Sequence, residues 1–352
     1  MKPIDQKIHS ALSSKKALES TFGWFLLLFL IFLPYESLAQ DPIYSQYYNQ
    51  PESINPAFSG RTHSPLIAAG MRLQWPGVQN AYRTATLSYS QFFNEINSGA
   101  GLLVMADNAG DGILTNIRLS GYYSYRIQID RNTFIQSGIE ITGVQSKLDW
   151  DQLVFADQID PVSGVINPGG MTIPSREQRP ENLTNNYFNL GFGLLYSAKN
   201  YYLGVGLRHL NRPNVGFLDD AGAHTPRQPL LYTFMAGTQI ELNPGRSIYL
   251  MPNVLFARQS ELMQINAGSA LRFDAISVGL YYRHNSQYPD AVQAHLGYRY
   301  DMYTIGYAFD FTVSRLASHS SGAHEISLLI NLDNKAGRPK VNYSDCLDIF
   351  RY

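Results

Sequence analysis

The sequence predicts an all-β fold, a transmembrane antiparallel outer-membrane β-barrel of about 14 strands. Three observations favour this fold. Stretches that alternate apolar and polar residues recur along the chain, as in Glu325–Leu332. Successive residues of a strand point to opposite faces, so this alternation directs the apolar set to lipid and the polar set to the lumen. After the first 39 residues, no run reaches the ~18 apolar residues of a membrane-spanning helix. The chain also begins with a segment typical of exported proteins.

Residues 1–39 are predicted to be a cleaved signal peptide. A basic start precedes an apolar run of 13 residues, Phe22–Pro34. Ser37 and Ala39 then provide small residues where a signal peptidase reads them, so Gln40 would begin the mature chain. The alternative is an N-terminal membrane anchor, but 13 residues fall short of the ~20 that a helix needs to span a bilayer.

Residues 40–64 do not alternate and are rich in Pro, Tyr, Asn and Gln, so we expect an N-terminal periplasmic segment. The β-barrel is expected over residues 65–332, followed by a polar C-terminal tail, 333–352, in the periplasm. The alternating stretches predict strands near 67–75, 84–90, 99–106, 117–126, 135–142, 187–197, 201–209, 230–240, 247–257, 262–273, 276–283, 291–299, 303–310 and 323–332.

Two long stretches without alternation interrupt these strands, near 148–186 and 211–228. Outer-membrane barrels carry long loops outside the cell and short turns in the periplasm, so we expect both loops at the cell surface. The acidic run from Asp149 to Asp160 supplies oxygen atoms that suit Ca²⁺. It lacks the spacing of an EF-hand, and a solvated loop is the preferred interpretation.

Ten charged residues within the strands mostly share a face with polar neighbours. An arginine on the lipid face at mid-membrane would cost ~2–4 kcal/mol, so these side chains are expected to point inward. They form either a salt-bridged lumen that holds the wall rigid or a mostly cationic surface for a polypeptide or plug. About 14 strands enclose too wide a space for their own side chains to fill, so water or another chain is expected inside. The candidate lumen or partner-binding residues are Arg72, Arg118, Arg126, Glu140, Arg208, Arg272, Arg283, Arg299, Asp310 and Glu325.

The sequence carries no recognisable motif for catalysis or for cofactor binding. The chain has no nucleotide-binding loop and no paired-cysteine spacing, and Cys346 is its only cysteine. A formal net charge of -1 gives no reason to expect a nucleic-acid partner. We therefore predict no catalytic residue, no cofactor and no metal. A barrel-embedded hydrolase is an alternative that would use His209 or His295, although a lone strand histidine is more typical of a lumen or interface.

Several motifs follow one another in a specific order across nearly the whole mature chain. They include Asn55-Pro-Ala-Phe-Ser-Gly60, Asp107-Asn-Ala-Gly-Asp-Gly112, Leu148-Asp-Trp150, Phe155-Ala-Asp-Gln158, Gly206-Leu-Arg-His-Leu-Asn-Arg-Pro213 and Gly322-Ala-His-Glu-Ile-Ser327. In these motifs the chain resembles the PorP/SprF family, outer-membrane proteins of the type IX secretion and gliding machinery of Bacteroidetes. The structural signatures singled out are Asp107, Asn108, Asp111, Trp150, Asp157, His209, Pro213 and His324.

The resemblance implies an integral outer-membrane protein without turnover that supports export or cell-surface attachment of a partner cargo. The implied cargo is an adhesin-like protein with a C-terminal type IX signal. The other implied partners are the periplasmic ring lipoprotein and ring protein of the machinery, in some members a peptidoglycan-binding protein, and outer-membrane lipid. We expect the long loops and the lumen to meet the cargo, and residues 40–64 and the tail to meet the ring. The alternative function is a passive outer-membrane porin or solute channel.

Overall fold

The computed structural model describes most of the chain after the predicted signal peptide. Residues 1–40 and the tail 333–352 lie outside the described residues, as do the middles of several loops. The described ranges are 41–62, 64–78, 81–160, 164–165, 175–218, 226–243, 247–286, 290–313 and 321–332.

The alternating stretches of the sequence form the strands of one large sheet. The strands are β1 (Leu66–Gln74), β2 (Tyr82–Phe93), β3 (Ser98–Ala109), β4 (Leu114–Asp130), β5 (Thr133–Leu148), β6 (Thr184–Ser197), β7 (Tyr201–Arg208), β8 (Leu231–Thr238, continued by Ile240–Asn243), β9 (Ile248–Gln259), β10 (Leu262–Phe273), β11 (Ile276–Asn285), β12 (Ala291–Tyr300), β13 (Tyr303–Thr312) and β14 (Ala323–Asn331).

This sheet is closed. Each strand pairs antiparallel with the strand before it and the strand after it, and β1 also pairs with β14. A closed sheet leaves no unpaired edge, so the predicted barrel of 14 strands is confirmed. β8 is interrupted at Gln239, and its ladder to β9 has a gap at Thr238 and Gln239, where the register places Pro252 opposite Thr238. Proline has no backbone N–H to donate there, which explains the gap in the ladder.

The strand connections divide the barrel into two unlike ends, which we call the short-turn end and the long-loop end. The short-turn end carries the connections 94–97, 131–132, 198–200, 244–247, 274–275 and 301–302. The long-loop end carries 75–81, 110–113, 149–183, 209–230, 260–261, 286–290 and 313–322. The two longest connections agree with the long loops expected from the sequence.

Short 3-10 helices are the only helical elements in the described part of the chain. They are Pro51–Ser53, Pro56–Phe58, Asn94–Ile96, Trp150–Gln152 and Ala156–Gln158. None of the helices described is long and apolar enough to cross a membrane.

The outer face of the wall is apolar. Along β4, Ile117, Leu119 and Tyr123 are exposed, whereas Arg118 and Ser120 between them are buried. This alternation places the apolar set outside and the polar set inside, as a strand in lipid requires.

Residues 41–62, which we call the inner segment, lie inside the barrel and not in the periplasm as expected. Asp41 contacts Arg208 and Gln259 at the long-loop end, and the segment runs from there to the start of β1 at the short-turn end. Nearly all of its residues are buried. The expectation was wrong because a polar, proline-rich stretch without alternation is typical of an exposed loop, but here its polar groups bind a polar wall.

The lumen also contains an apolar core, which corrects the expectation of a polar interior throughout. Tyr47, Ile54 and Phe58 of the inner segment are buried with Leu195 and Met235, which point inward from the wall. The inner segment supplies apolar partners to these wall residues, so they point into the lumen and are still shielded from water.

Candidate functional site: the occupied lumen

Inward-facing glycines form the seat of the inner segment. A Cβ atom built on Gly99, Gly138, Gly193 or Gly206 would overlap the backbone or side chains of the inner segment. Glycine in a strand interior often marks a place where another backbone approaches closely, and these four positions, on β3, β5, β6 and β7, show that approach.

Asn55 joins the inner segment to two strands at this seat. Its side-chain amide donates hydrogen bonds of 3.1 Å to the backbone oxygens of Leu194 and Val205. Its side-chain oxygen accepts a bond of 2.9 Å from the backbone N–H of Ala57 and so caps the second 3-10 helix. One asparagine therefore fixes both the local turn and its position on the wall.

Asp41 is the centre of an ionic group at the long-loop end, the Asp41 cluster. Arg118 donates a hydrogen bond of 3.0 Å to each oxygen of the carboxylate. Arg208 lies 3.4 Å from the same carboxylate and donates two bonds of 2.8 Å to Glu140. The Nε2 atom of His209 lies 3.0 Å from Asp41, which is only 5% exposed. A carboxylate buried this deeply requires such partners.

A second ionic group, the Arg72 cluster, joins β1, β11, β13 and β14. Arg72 lies 2.8 Å from Asp310 and 3.0 Å from Glu325, and Arg283 lies 2.8 Å from Asp310. The hydroxyl of Ser45 donates to Asp310 at 2.7 Å and accepts from Arg72 at 2.6 Å, while its backbone N–H donates to Glu325 at 2.8 Å. The inner segment thus completes this group of charges.

Further hydrogen bonds hold the part of the inner segment that follows the two clusters. The hydroxyl of Tyr48 lies 2.7 Å from the Nδ1 atom of His295, and Gln50 donates a bond of 2.9 Å to the backbone oxygen of Ala68. Within the segment, Arg61 donates bonds of 2.8 and 2.7 Å to the backbone oxygens of Tyr48 and Asn49. These contacts fix the fold of the segment as well as its place.

The structure brings seven of the ten candidate lumen residues into the two clusters. These seven are Arg72, Arg118, Glu140, Arg208, Arg283, Asp310 and Glu325. The charges are paired, as the salt-bridged interpretation requires, and they also hold a polypeptide, which is the chain's own inner segment.

The other three candidates lie outside the clusters. The guanidinium of Arg126 lies 4.0 Å from the ring centre of Phe92 and donates to the backbone oxygen of Gly60 at 3.1 Å. Arg272 lies 4.6 Å from the ring centre of Tyr249. Arg299, at the short-turn end of β12, is exposed.

The signature residues lie at the long-loop end. His209 is fully buried against Asp41 and has a φ of 60°, in the left-handed region. Asp107 accepts a bond of 2.6 Å from Thr84. Asn108 lies opposite Thr115 in strand register, and Asp111 lies 3.5 Å from Arg83. The backbone oxygen of Pro213 accepts a bond of 2.9 Å from the backbone N–H of Gln228. The Nδ1 atom of His324 lies 2.8 Å from the hydroxyl of Tyr307.

Two of these signatures order the longest loop. The ring centres of Trp150 and Phe155 lie 4.8 Å apart. The Asp157 carboxylate accepts a bond of 2.6 Å from the backbone N–H of Arg176 and one of 2.8 Å from the hydroxyl of Ser175. These two bonds hold the pKa of the Asp157 carboxyl below its usual value. Three acidic residues of this loop, Asp149, Asp151 and Asp157, thus have partners within the loop. Within the described residues, no group of His, Cys, Asp and Glu side chains could hold a metal ion.

Sequence reasoning missed the partners that the inner segment supplies. Asp41 and Ser45 complete both clusters, yet they lie in a stretch that reads as a loop. The sequence did carry one signal for a packed lumen. Gly138 and Gly193 alternate in step with the inward polar residues of their strands, and inward glycines leave room for another backbone.

Comparison with known proteins identifies the family. Residues 36–330, which include the inner segment, match the family model described as type IX secretion system membrane protein PorP/SprF. No curated protein matches the chain.

Similar solved structures include the P. putida toluene transporter TodX (13% identity, TM-score 0.46, 79% of this chain and 92% of that chain). The CymD monoaromatic hydrocarbon channel is another (12% identity, TM-score 0.46, 82% and 93%), as is Omp33 of Acinetobacter baumannii (8% identity, TM-score 0.43, 78% and 100%). These similarities are weak, and the barrel is assigned from the pairing of its strands. The family match extends over most of a chain that folds as a barrel, and the chain therefore belongs to the PorP/SprF family of type IX secretion system membrane proteins.

Proposed function

We propose that this protein is an outer-membrane component of the type IX machinery that supports export or surface attachment of an adhesin-like cargo. In this proposal it works as a filled scaffold without turnover. The observation that carries the proposal is the occupied lumen, in which two ionic clusters and a glycine seat hold the inner segment. A passive porin needs an open path, and this arrangement favours a binding role instead.

The long-loop end is the proposed surface for the cargo. The second long loop contacts the strand that follows the first, because the side chain of Asn185 on β6 donates to the backbone oxygen of Gly216 at 2.8 Å. Val154 and Leu218 expose large apolar side chains on these loops. Exposed apolar side chains on loops suit protein recognition.

The proposed orientation places the long-loop end outside the cell and the short-turn end in the periplasm, as in other outer-membrane barrels. The short turns and the tail 333–352 would then meet the periplasmic ring lipoprotein and ring protein, or a peptidoglycan-binding protein. The inner segment is buried, so it is not part of the proposed ring contact. Export to this membrane would use cleavage of residues 1–39.

The histidines considered for a hydrolase favour a structural role. His209 is buried against Asp41, and His295 lies between Tyr48 and Tyr281, with ring centres 5.8 and 4.5 Å away. Both are buried and contact the inner segment on the lumen side of the wall, away from the lipid-facing surface.

The cellular test is a deletion strain complemented with the wild-type gene. We expect cargo on the surface of intact cells, detected by antibody, to fall to background in the deletion strain and to return with the gene. Unchanged cargo secretion and display in the deletion strain would refute the proposal.

The porin alternative is tested by conductance in planar bilayers. We expect the wild-type protein to conduct far less than a variant that lacks residues 41–62. If that deletion fails to fold, Gly138→Ala provides a second route, because its new side chain would displace the inner segment. A wide, steady conductance in the wild type would support the porin function.

A further inference from the structure

An apolar groove of about 420 Å³ lies on the outer face of β2–β5. Tyr89, Leu102, Tyr123 and Ile141 form its sides, and Gly121 forms part of its floor. The outward-facing aromatic and aliphatic side chains surround Gly121, which has no side chain, and a depression results in the outer surface of the wall. Its volume falls within the range of small-ligand pockets, and its lining is almost entirely apolar.

The packing of the barrel does not require a glycine at the floor of this groove. A Cβ atom on Gly121 would come no closer than 3.9 Å to any neighbouring heavy atom, which is the backbone oxygen of Ile141. This differs from the inward glycines, where a Cβ atom would overlap the inner segment. The depression is therefore a property of the outer surface, and it can be filled by substitution without disturbing the lumen.

A row of polar residues crosses the same four strands at the long-loop end. Strand register places Arg83, Asn108, Thr115 and Lys147 side by side. All four have outward parity, because their neighbours Thr84 and Ser146 are buried on the inner face. The row thus sets two cationic side chains above an apolar surface.

The cations of this row are available to an anion. Arg83 lies 3.5 Å from Asp111, but both side chains are more than half exposed, and such a pair contributes little. Lys147 is exposed on β5, three strands along the wall from Arg83 on β2. From Arg83 to Tyr89 the strand rises by six residues, about 20 Å, which is close to the length of a long acyl chain.

We propose that this face binds a phosphorylated glycolipid of the outer leaflet. One acyl chain lies along β2–β5 with its end in the groove over Gly121, and a headgroup phosphate lies between Arg83 and Lys147. The charges match a phosphate, and the groove below them matches a saturated chain. The assignment to the outer leaflet rests on the orientation proposed above.

The test uses native mass spectrometry of the purified, delipidated full-length mature protein with added lipid A. We expect lipid A to bind, and Gly121→Phe to weaken binding about tenfold, which corresponds to lost contact for roughly two methylene groups. The matched control is Ala267→Phe, an exposed outward position on β10, across the barrel, which should leave binding unchanged. A folded barrel in both variants is verified by circular dichroism.

The headgroup is tested with the double substitution Arg83→Gln and Lys147→Gln. It should weaken the binding of phosphorylated lipid A and leave that of dephosphorylated lipid A unchanged. Equal binding by Gly121→Phe and Ala267→Phe would overturn the proposal, and so would equal competition by phosphatidylglycerol. Cargo display by the Gly121→Phe strain is a separate measurement, so loss of the lipid site and loss of the secretion role are distinguishable.

Discussion

The backbone nitrogen of Ala57 occupies the space in which a side chain on Gly138 would begin. This contact joins the second 3-10 helix of the inner segment to the wall at β5 with no atom between the two backbones. The filled lumen therefore depends on inward positions without a side chain as well as on the charged residues of the wall.

Substitution Gly138→Ala is expected to lower stability, because the added methyl group must displace the inner segment or the strand. Overpacking of this kind costs about 1–3 kcal/mol. The measurement is the urea midpoint of the detergent-solubilised barrel, together with the conductance described above. Gly143→Ala is the control, since it lies on the same strand and a Cβ atom there meets nothing within 4 Å. Equal midpoints for the two variants would contradict the glycine seat.

Substitution Asp41→Asn is expected to loosen the start of the inner segment, because it leaves Arg118 and Arg208 without the carboxylate that they share. Removing one partner of a buried ion pair costs about 3–5 kcal/mol. Unfolding midpoint and protease cleavage within the inner segment report the effect. Asp151→Asn breaks an exposed pair with Arg179 and should change stability by less than about 1 kcal/mol. A wild-type midpoint for Asp41→Asn would show that the cluster does not hold the segment.

Substitutions Arg72→Met and Glu325→Gln are expected to be non-additive. Each single change leaves a buried charged or polar partner of the Arg72 cluster unsatisfied, whereas the double change removes both members of a pair 3.0 Å apart. The expected coupling between the two sites is about 0.5–3 kcal/mol, measured from the unfolding free energies of the four proteins in a double-mutant cycle. Simple additivity would mean that the two side chains act independently.

Substitution His209→Asn is expected to be milder than His209→Val. The φ of 60° at this position is one that asparagine adopts readily and that a β-branched residue resists. Asparagine also retains a polar group beside Asp41. The difference, about 1–3 kcal/mol, should appear as a lower thermal midpoint for the valine variant. If the two variants melt together, the backbone conformation of this residue is not a constraint.

The strands were predictable because each carries its own signal. The alternation in Glu325–Leu332 needs no knowledge of the rest of the chain, since lipid and lumen impose opposite requirements on successive residues. The inward direction of Arg72 and Arg118 follows from the same argument, because the cost of a charge in lipid decides it.

The place of the inner segment was not predictable in this way. Asp41 and Asn55 bond wall residues more than 70 positions away, on strands whose spatial order the sequence does not display. A proline-rich polar stretch suits both an exposed linker and a packed lumen, and only the matching surface of the wall distinguishes them. That surface depends on glycines such as Gly138, whose significance appears once the partner is in place.

Ser45 touches both sides of the seam between the first and last strands, since it bonds Arg72 of β1 and Glu325 of β14. The charges along this seam are complete only when the segment that precedes β1 is seated among them. The seated inner segment therefore stabilises the closed form of the barrel, because it bonds both strands across the junction at which the sheet closes on itself.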